Sequence, residues 1–150
     1  MSEAILTRLP GSPGCFICDN NGSNPRALHL ALMWDEAAET VRIDFQPEAS
    51  WCGYAEVVHG GLVSAVMDEA MAWAFKQKFG DWGFTADFQV RFKKPVRPGR
   101  SYCALARVTE ARGRKITLTA RVLDADDGLC AQATGIFMPA GGLASPRSEA

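Results

Sequence analysis

A chain of 150 residues is long enough to bury one core and short for two domains. Its 47% hydrophobic and 22% charged residues exclude a disordered chain, and a formal net charge of -1 excludes a global field that draws it to nucleic acid or an anionic membrane. Residues 1–13 hold no apolar run of signal-peptide length, and five cysteines cannot all pair, so the expectation is a reduced cytoplasmic protein without a disulfide framework.

Residues 1–14 carry no pattern and read as an irregular N-terminal arm. Cys15-Phe16-Ile17-Cys18 follows, then the turn formers Asp19-Asn20-Asn21-Gly22-Ser23-Asn24-Pro25. Structural zinc normally takes four ligands; no second cysteine pair stands at metal spacing, and His29 supplies only a third ligand. The pair is therefore read as two small hydrophobes anchoring a loop, with no metal. Leu28 to Trp34 reads as a first strand. Thr40 to Gln46 is a clearer second one, with Val41, Ile43 and Phe45 on one face and Arg42, Asp44 and Gln46 on the other. Residues 47–56 form a loop that delivers the chain to His59.

From Leu62 to Phe75 the sequence is apolar almost all round, interrupted by Ser64, Asp68 and Glu69. It is too short to span a membrane and predicts a buried core helix over about Gly61 to Lys78. Phe79-Gly80-Asp81-Trp82-Gly83 supplies its C-cap and turn. Phe84, Ala86, Phe88, Val90 and Phe92 then alternate with polar residues as the cleanest strand. Tyr102–Glu110, a turn at Arg112-Gly113-Arg114, Ile116–Val122, a turn at Asp126-Asp127-Gly128 and Leu129–Met138 complete a meander. Residues 141–150 read as a flexible tail, leaving 15–140 as the folded domain. A helix without a polar face needs a sheet to wrap it, and the leftover apolar surface and strand edges favour a dimer.

A carboxylate inside an apolar helix is costly unless it is hydrogen-bonded or neutralised. Asp68 lies too deep to cap the helix, which favours a functional role. Glu69, rotated from it by about 100°, reads as structural. His59, Gly60 and Gly61 stand where free N–H groups and the helix dipole attract negative charge; a polar residue satisfied at a helix start is the plain alternative for His59. Thr85 is open to a cross-strand role or a catalytic one. Lys93, Lys94, Arg97 and Arg100 surround a turn that is either solvated or a phosphate site. Trp51, Tyr54, Trp73, Phe75 and Trp82 are open to the core or to lining an acyl pocket.

Val58-His59-Gly60-Gly61 leading to Asp68, the strand Gly83-Phe84-Thr85-Ala86-Asp87-Phe88, and Cys15-Phe16-Ile17-Cys18 with Asn24-Pro25 resemble the PaaI-like hotdog-fold thioesterases, over roughly Cys15 to Pro139. The resemblance implies an α+β hotdog fold, a curved antiparallel sheet around one long helix. It further implies an acyl-CoA thioesterase without cofactor, active as a homodimer or homotetramer whose sites lie between subunits. It assigns Gly60 N–H to the thioester carbonyl, His59 to shaping the loop, Asp68 to nucleophile or base, and Thr85 to positioning water or the acid. Apart from the resemblance, Gly61, Lys93 and Arg97 are the candidate substrate-binding residues, the two cations for phosphate if the turn is not merely solvated. Glu56 stands where such proteins often have glycine, and Gly53 where some have a water-holding amide, so a differently shaped loop is expected before His59. A hotdog acyl-thioester dehydratase or hydratase, and a silent acyl-CoA-binding protein, are the competing readings.

Overall fold

The structure, a computed structural model, describes residues 5–141. The elements in chain order are β1 (Leu6–Arg8), β2 (Met33–Asp35), β3 (Thr40–Phe45), β4 (Cys52–Tyr54), β5 (Val57–Val58), α1 (Gly60–Phe79), β6 (Gly83–Phe92), β7 (Tyr102–Arg112), β8 (Lys115–Asp124) and β9 (Leu129–Pro139). All strands except the β4–β5 hairpin join one antiparallel sheet in the order β1-β2-β3-β7-β8-β9-β6. Alternate residues of the central strands, such as Ile43, Ala104, Leu118 and Phe137, are buried on one face. Against that face lies α1, with Val66, Met67, Ala70 and Met71 fully buried. One long helix on a large antiparallel sheet is the expected hotdog architecture. No helix among the described residues is long and apolar enough to cross a membrane.

The ends of α1 follow local chemistry. His59 caps its start, and Gly80 at φ 78 ends it in the left-handed region that glycine enters without strain. Both expected hairpins form, the second with Asp124 Oδ1 accepting from the N–H groups of Asp126 and Gly128 at 2.9 and 2.7 Å.

Three expectations need correction. The first strand shrinks from Leu28–Trp34 to Met33–Asp35, because His29 takes φ 58 with its Nδ1 held 2.7 Å from Asp19 O, and Leu28 and Leu30 bond to the cysteine loop instead. The arm is not wholly irregular: Leu6–Arg8 pairs with β2. β6 carries a bulge between Thr85 and Asp87, which breaks its alternation. The expected flexible tail lies, after Gly141, outside the described residues, as do residues 1–4 of the arm.

Candidate functional site

The backbone bends into α1 through the β4–β5 hairpin, where His59 N–H donates to Trp51 O at 2.9 Å. The His59 Nδ1 atom accepts from Gly61 N–H at 2.8 Å, which places the proton of the neutral ring on Nε2. Leu62 and Val63 N–H bond to His59 O. Gly60 is the first helical residue, where α-helix geometry leaves its N–H without an intrahelical acceptor. A side chain at Gly60 would stand 3.3 Å from the Phe92 ring, and one at Gly53 would stand 3.2 Å from the His59 ring. Glycine at both positions lets the rings close on the helix start. Glu56 adopts φ 60, the left-handed region, in the loop before His59.

A cleft of about 680 Å³ opens beside this helix start, lined chiefly by apolar surface from Val57, Val58, Val63, Phe92, Pro95 and Val96. His59, Gly60, Tyr54 and Lys93 also face it. The sequence did not single out Phe92 or Val96 for a site; the only signal was that the strand ends at Phe92, beside the turn that follows.

Asp68 and Thr85 come together: the Thr85 hydroxyl donates to Asp68 Oδ1 at 2.7 Å. The bulge in β6 makes this possible. Thr85 pairs with Phe137 and Phe88 with Gly135, both on the helix face of β9, so one irregularity puts two residues three apart on the same side. Asp68 is half-buried, and desolvation raises its carboxyl above the usual aspartate range while the Thr85 hydrogen bond opposes the rise.

Other predicted residues separate. Asp68 lies eight residues beyond Gly60 and thus about 12 Å along the helix axis, and neither Asp68 nor Thr85 lines the cleft. Ser64, on the same helix side as Asp68, spends its hydroxyl on Gly60 O at 2.8 Å. Gly61 sits at the helix start with its N–H committed to His59. Lys93 faces the cleft, whereas Arg97 lines a neighbouring hollow of about 470 Å³ with Arg100 and donates from Nη1 to Glu56 O at 3.2 Å. Of the five aromatic residues considered for an acyl pocket, only Tyr54 lines the cleft. Trp51 stacks on Phe45, Trp73 meets Trp82 edge-on at 4.9 Å, and Phe75 packs on Phe79 and Phe137. Glu69 Oε2 accepts from Trp73 Nε1 at 3.2 Å and from the Cys15 thiol at 3.4 Å.

β6 lies at one edge of the sheet and is ten residues long. Its Phe84 and Phe92 are 66% and 54% exposed. An edge this long and apolar is a template for pairing with another strand.

The sequence model of the thioesterase superfamily matches residues 55–131, which hold the helix start, Asp68, Thr85 and the basic turn. An uncharacterized protein of Schizosaccharomyces pombe is 29% identical over 99 residues, 63% of this chain and 57% of its own length. A crystal structure of a thioesterase superfamily protein superposes with a TM-score of 0.72 at 24% identity, over 77% of this chain and 56% of that one. The chain thus spans little more than half the length of these two relatives. The Escherichia coli PaaI protein of the phenylacetic acid degradation operon shares the fold at a TM-score of 0.62 and 17% identity, over 66% of this chain and 75% of that one. A Streptococcus mutans protein bound to acetyl CoA does so at 0.65 and 14%, over 73% and 85%. With more than half of its residues matched by that sequence model, on a fold shared with PaaI, the chain belongs to the thioesterase superfamily.

Proposed function

We propose that the protein hydrolyses acyl-CoA thioesters as a homodimer, each site joining the cleft and Gly60 N–H of one subunit to Asp68 and Thr85 of the partner subunit. The separation of Gly60 from Asp68 carries this reading. A donor and an attacking group serving one carbonyl must both lie about 3 Å from it, and the two residues of one chain are about 12 Å apart along α1. Pairing of β6 edges offers the route by which a second copy approaches, and continues the sheet.

In that arrangement Gly60 N–H, at the positive end of α1, donates to the thioester oxygen as negative charge develops there. The ionised Asp68 either takes a proton from water or attacks the carbonyl, with Thr85 holding it in place. Lys93 at the cleft mouth suits a phosphate of coenzyme A, as does the Arg97–Arg100 hollow nearby. An acyl-CoA ligand is in keeping with the Streptococcus mutans relative bound to acetyl CoA. The apolar lining suits the acyl chain.

A panel of acyl-CoA esters monitored for free thiol tests the reading. Saturable thiol release that Asp68→Asn abolishes is the expected result. Water loss from a 3-hydroxyacyl thioester without thiol release would instead establish a dehydratase, and binding without turnover a silent protein.

A further inference from the structure

The loop carrying Cys15 and Cys18 is organised by hydrogen bonds. Fully buried Asp19 accepts from the N–H groups of Gly14 at 3.0 Å and Asn24 at 2.9 Å, and the Asn20 amide donates to Cys18 O at 2.9 Å. Within this frame the N–H groups of Ile17 and Cys18 both point at Cys15 Sγ at 3.4 Å, and Ser12 N–H points at Cys18 Sγ at 3.3 Å. A thiol sulfur is a weak acceptor, and charge on the acceptor strengthens such bonds. Without an ion, burial and the Glu69 carboxylate beside it push the Cys18 thiol up; the three backbone donors aimed at the two sulfurs suit thiolates whose charge a bound cation balances. Opposite them stands Glu69 of α1, its Oε2 held by Trp73 Nε1 at 3.2 Å. One ligand atom from each of Cys15, Cys18 and Glu69 lies within 4.8 Å of the other two.

We infer that Cys15, Cys18 and Glu69 form a site for one soft divalent metal ion, zinc by the chemistry of its donors. In a tetrahedral zinc site with Zn–S of ~2.3 Å and Zn–O of ~2.1 Å, the S···O edge is about 3.6 Å and the S···S edge about 3.8 Å. The Cys15 Sγ to Glu69 Oε2 distance is already 3.4 Å. Two thiolates select zinc over the hard cations magnesium and calcium, which prefer all-oxygen shells. Binding releases the two thiol protons to solvent, and the ion offsets two of the three negative charges that remain. Three protein ligands leave a fourth position for water, and half-buried Cys15 and Glu69 give the ion a way in.

This departs from the metal-free reading of the cysteine pair, which weighed ligands by their spacing in the sequence. Glu69 lies 54 residues from Cys15 and joins it only through folding. An ion held there would clamp the N-terminal loop to α1 one residue past Asp68, and so hold the helix against rotation about its own axis.

The test uses the full chain, freed of metal by a chelator, kept reduced, and titrated with Co²⁺ and then Zn²⁺. One equivalent of Co²⁺ per chain is expected, with a thiolate-to-cobalt absorption band in the near ultraviolet and visible bands of a tetrahedral ion. Zn²⁺ should displace it stoichiometrically and raise Tm. Cys15→Ser and Glu69→Gln should each weaken Co²⁺ binding at least about tenfold, whereas Cys103→Ser should not. Glu69→Gln keeps the shape of its side chain and decides the matter if the cysteine variant fails to fold. Absence of stoichiometric binding by the reduced protein overturns the proposal, as does Co²⁺ binding that survives both changes. A Cys15–Cys18 disulfide whose reduction restores no metal affinity overturns it as well.

Discussion

At the residue scale the surroundings of the Asp68 carboxyl pull in opposite directions. Burial raises the Asp68 pKa, and the hydroxyl of Thr85 restrains it by hydrogen-bonding the ionised form. Removing that hydroxyl in Thr85→Ala should raise the carboxyl further. The acid limb of the kcat/KM profile then moves to higher pH, and Thr85→Ser should move it back; an unmoved limb in Thr85→Ala would remove Thr85 from the site. Stability follows the same linkage. The folded state holds the Asp68 proton more tightly than the unfolded chain, so ionising Asp68 weakens the fold as pH rises from the usual aspartate range through the raised folded value. Asp68→Asn avoids that loss, and should cost on the order of 10²–10⁴ in kcat while leaving Tm at pH 7 equal or higher. Glu69→Gln should keep most of kcat, and the opposite pattern would show that the wrong acid has been assigned. Lys93→Ala should raise KM, least at high salt, and leave kcat nearly unchanged, as for lost uniform binding. A KM for CoA esters equal to that of the unchanged protein would take Lys93 out of the site.

At the scale of elements, what the sequence made legible is what period and capping control. Val41, Ile43 and Phe45 were assigned to one face of β3 by alternation alone, and they are buried. The helix was expected over Gly61 to Lys78 and runs from Gly60 to Phe79, with Gly80 at its C-cap. Events without a local signature were hidden. The bulge after Thr85 is one, and it reverses the side to which Thr85 points. The left-handed turn at His29 is another, and it converts most of an apparent strand into a connection. Asp68 stood out because burying a carboxylate is costly; Thr85 as its partner followed from the resemblance alone, and the bulge is what turns that hydroxyl to the helix face. The seam between α1 and β6 is close-packed: a side chain at Gly83 would lie 2.9 Å from the Phe75 ring and 3.0 Å from Met138 O. Phe75 is 1% exposed and has little room to yield. Gly83→Ala should therefore destabilise the protein by about 1–3 kcal/mol in denaturant unfolding; unchanged stability would mean that this seam is looser than described.

At the scale of the molecule, the proposed site is split, its parts standing apart within one chain. The cleft at the start of α1 has a donor, apolar walls and Lys93, while the acid and its hydroxyl lie two turns further along. In the proposed dimer, the long edge of β6, which ends the sheet, is where the two copies join. A mixing experiment tests the shared site most directly. Gly60→Pro deletes the proposed donor N–H at the first helical position, where proline is well tolerated, and His59 at φ -55 and ψ 129 already has the backbone that precedes proline. Gly60→Ala controls for crowding against Phe92, 3.3 Å from the added carbon. Gly60→Pro and Asp68→Asn should each be nearly inactive, folded and dimeric. Mixed in equal amounts and allowed to exchange subunits, half the dimers become hybrids, and each hybrid has one of its two sites intact. Thiol release should then recover to about a quarter of that of the unchanged protein. No recovery, with subunit exchange demonstrated, would contradict the shared site.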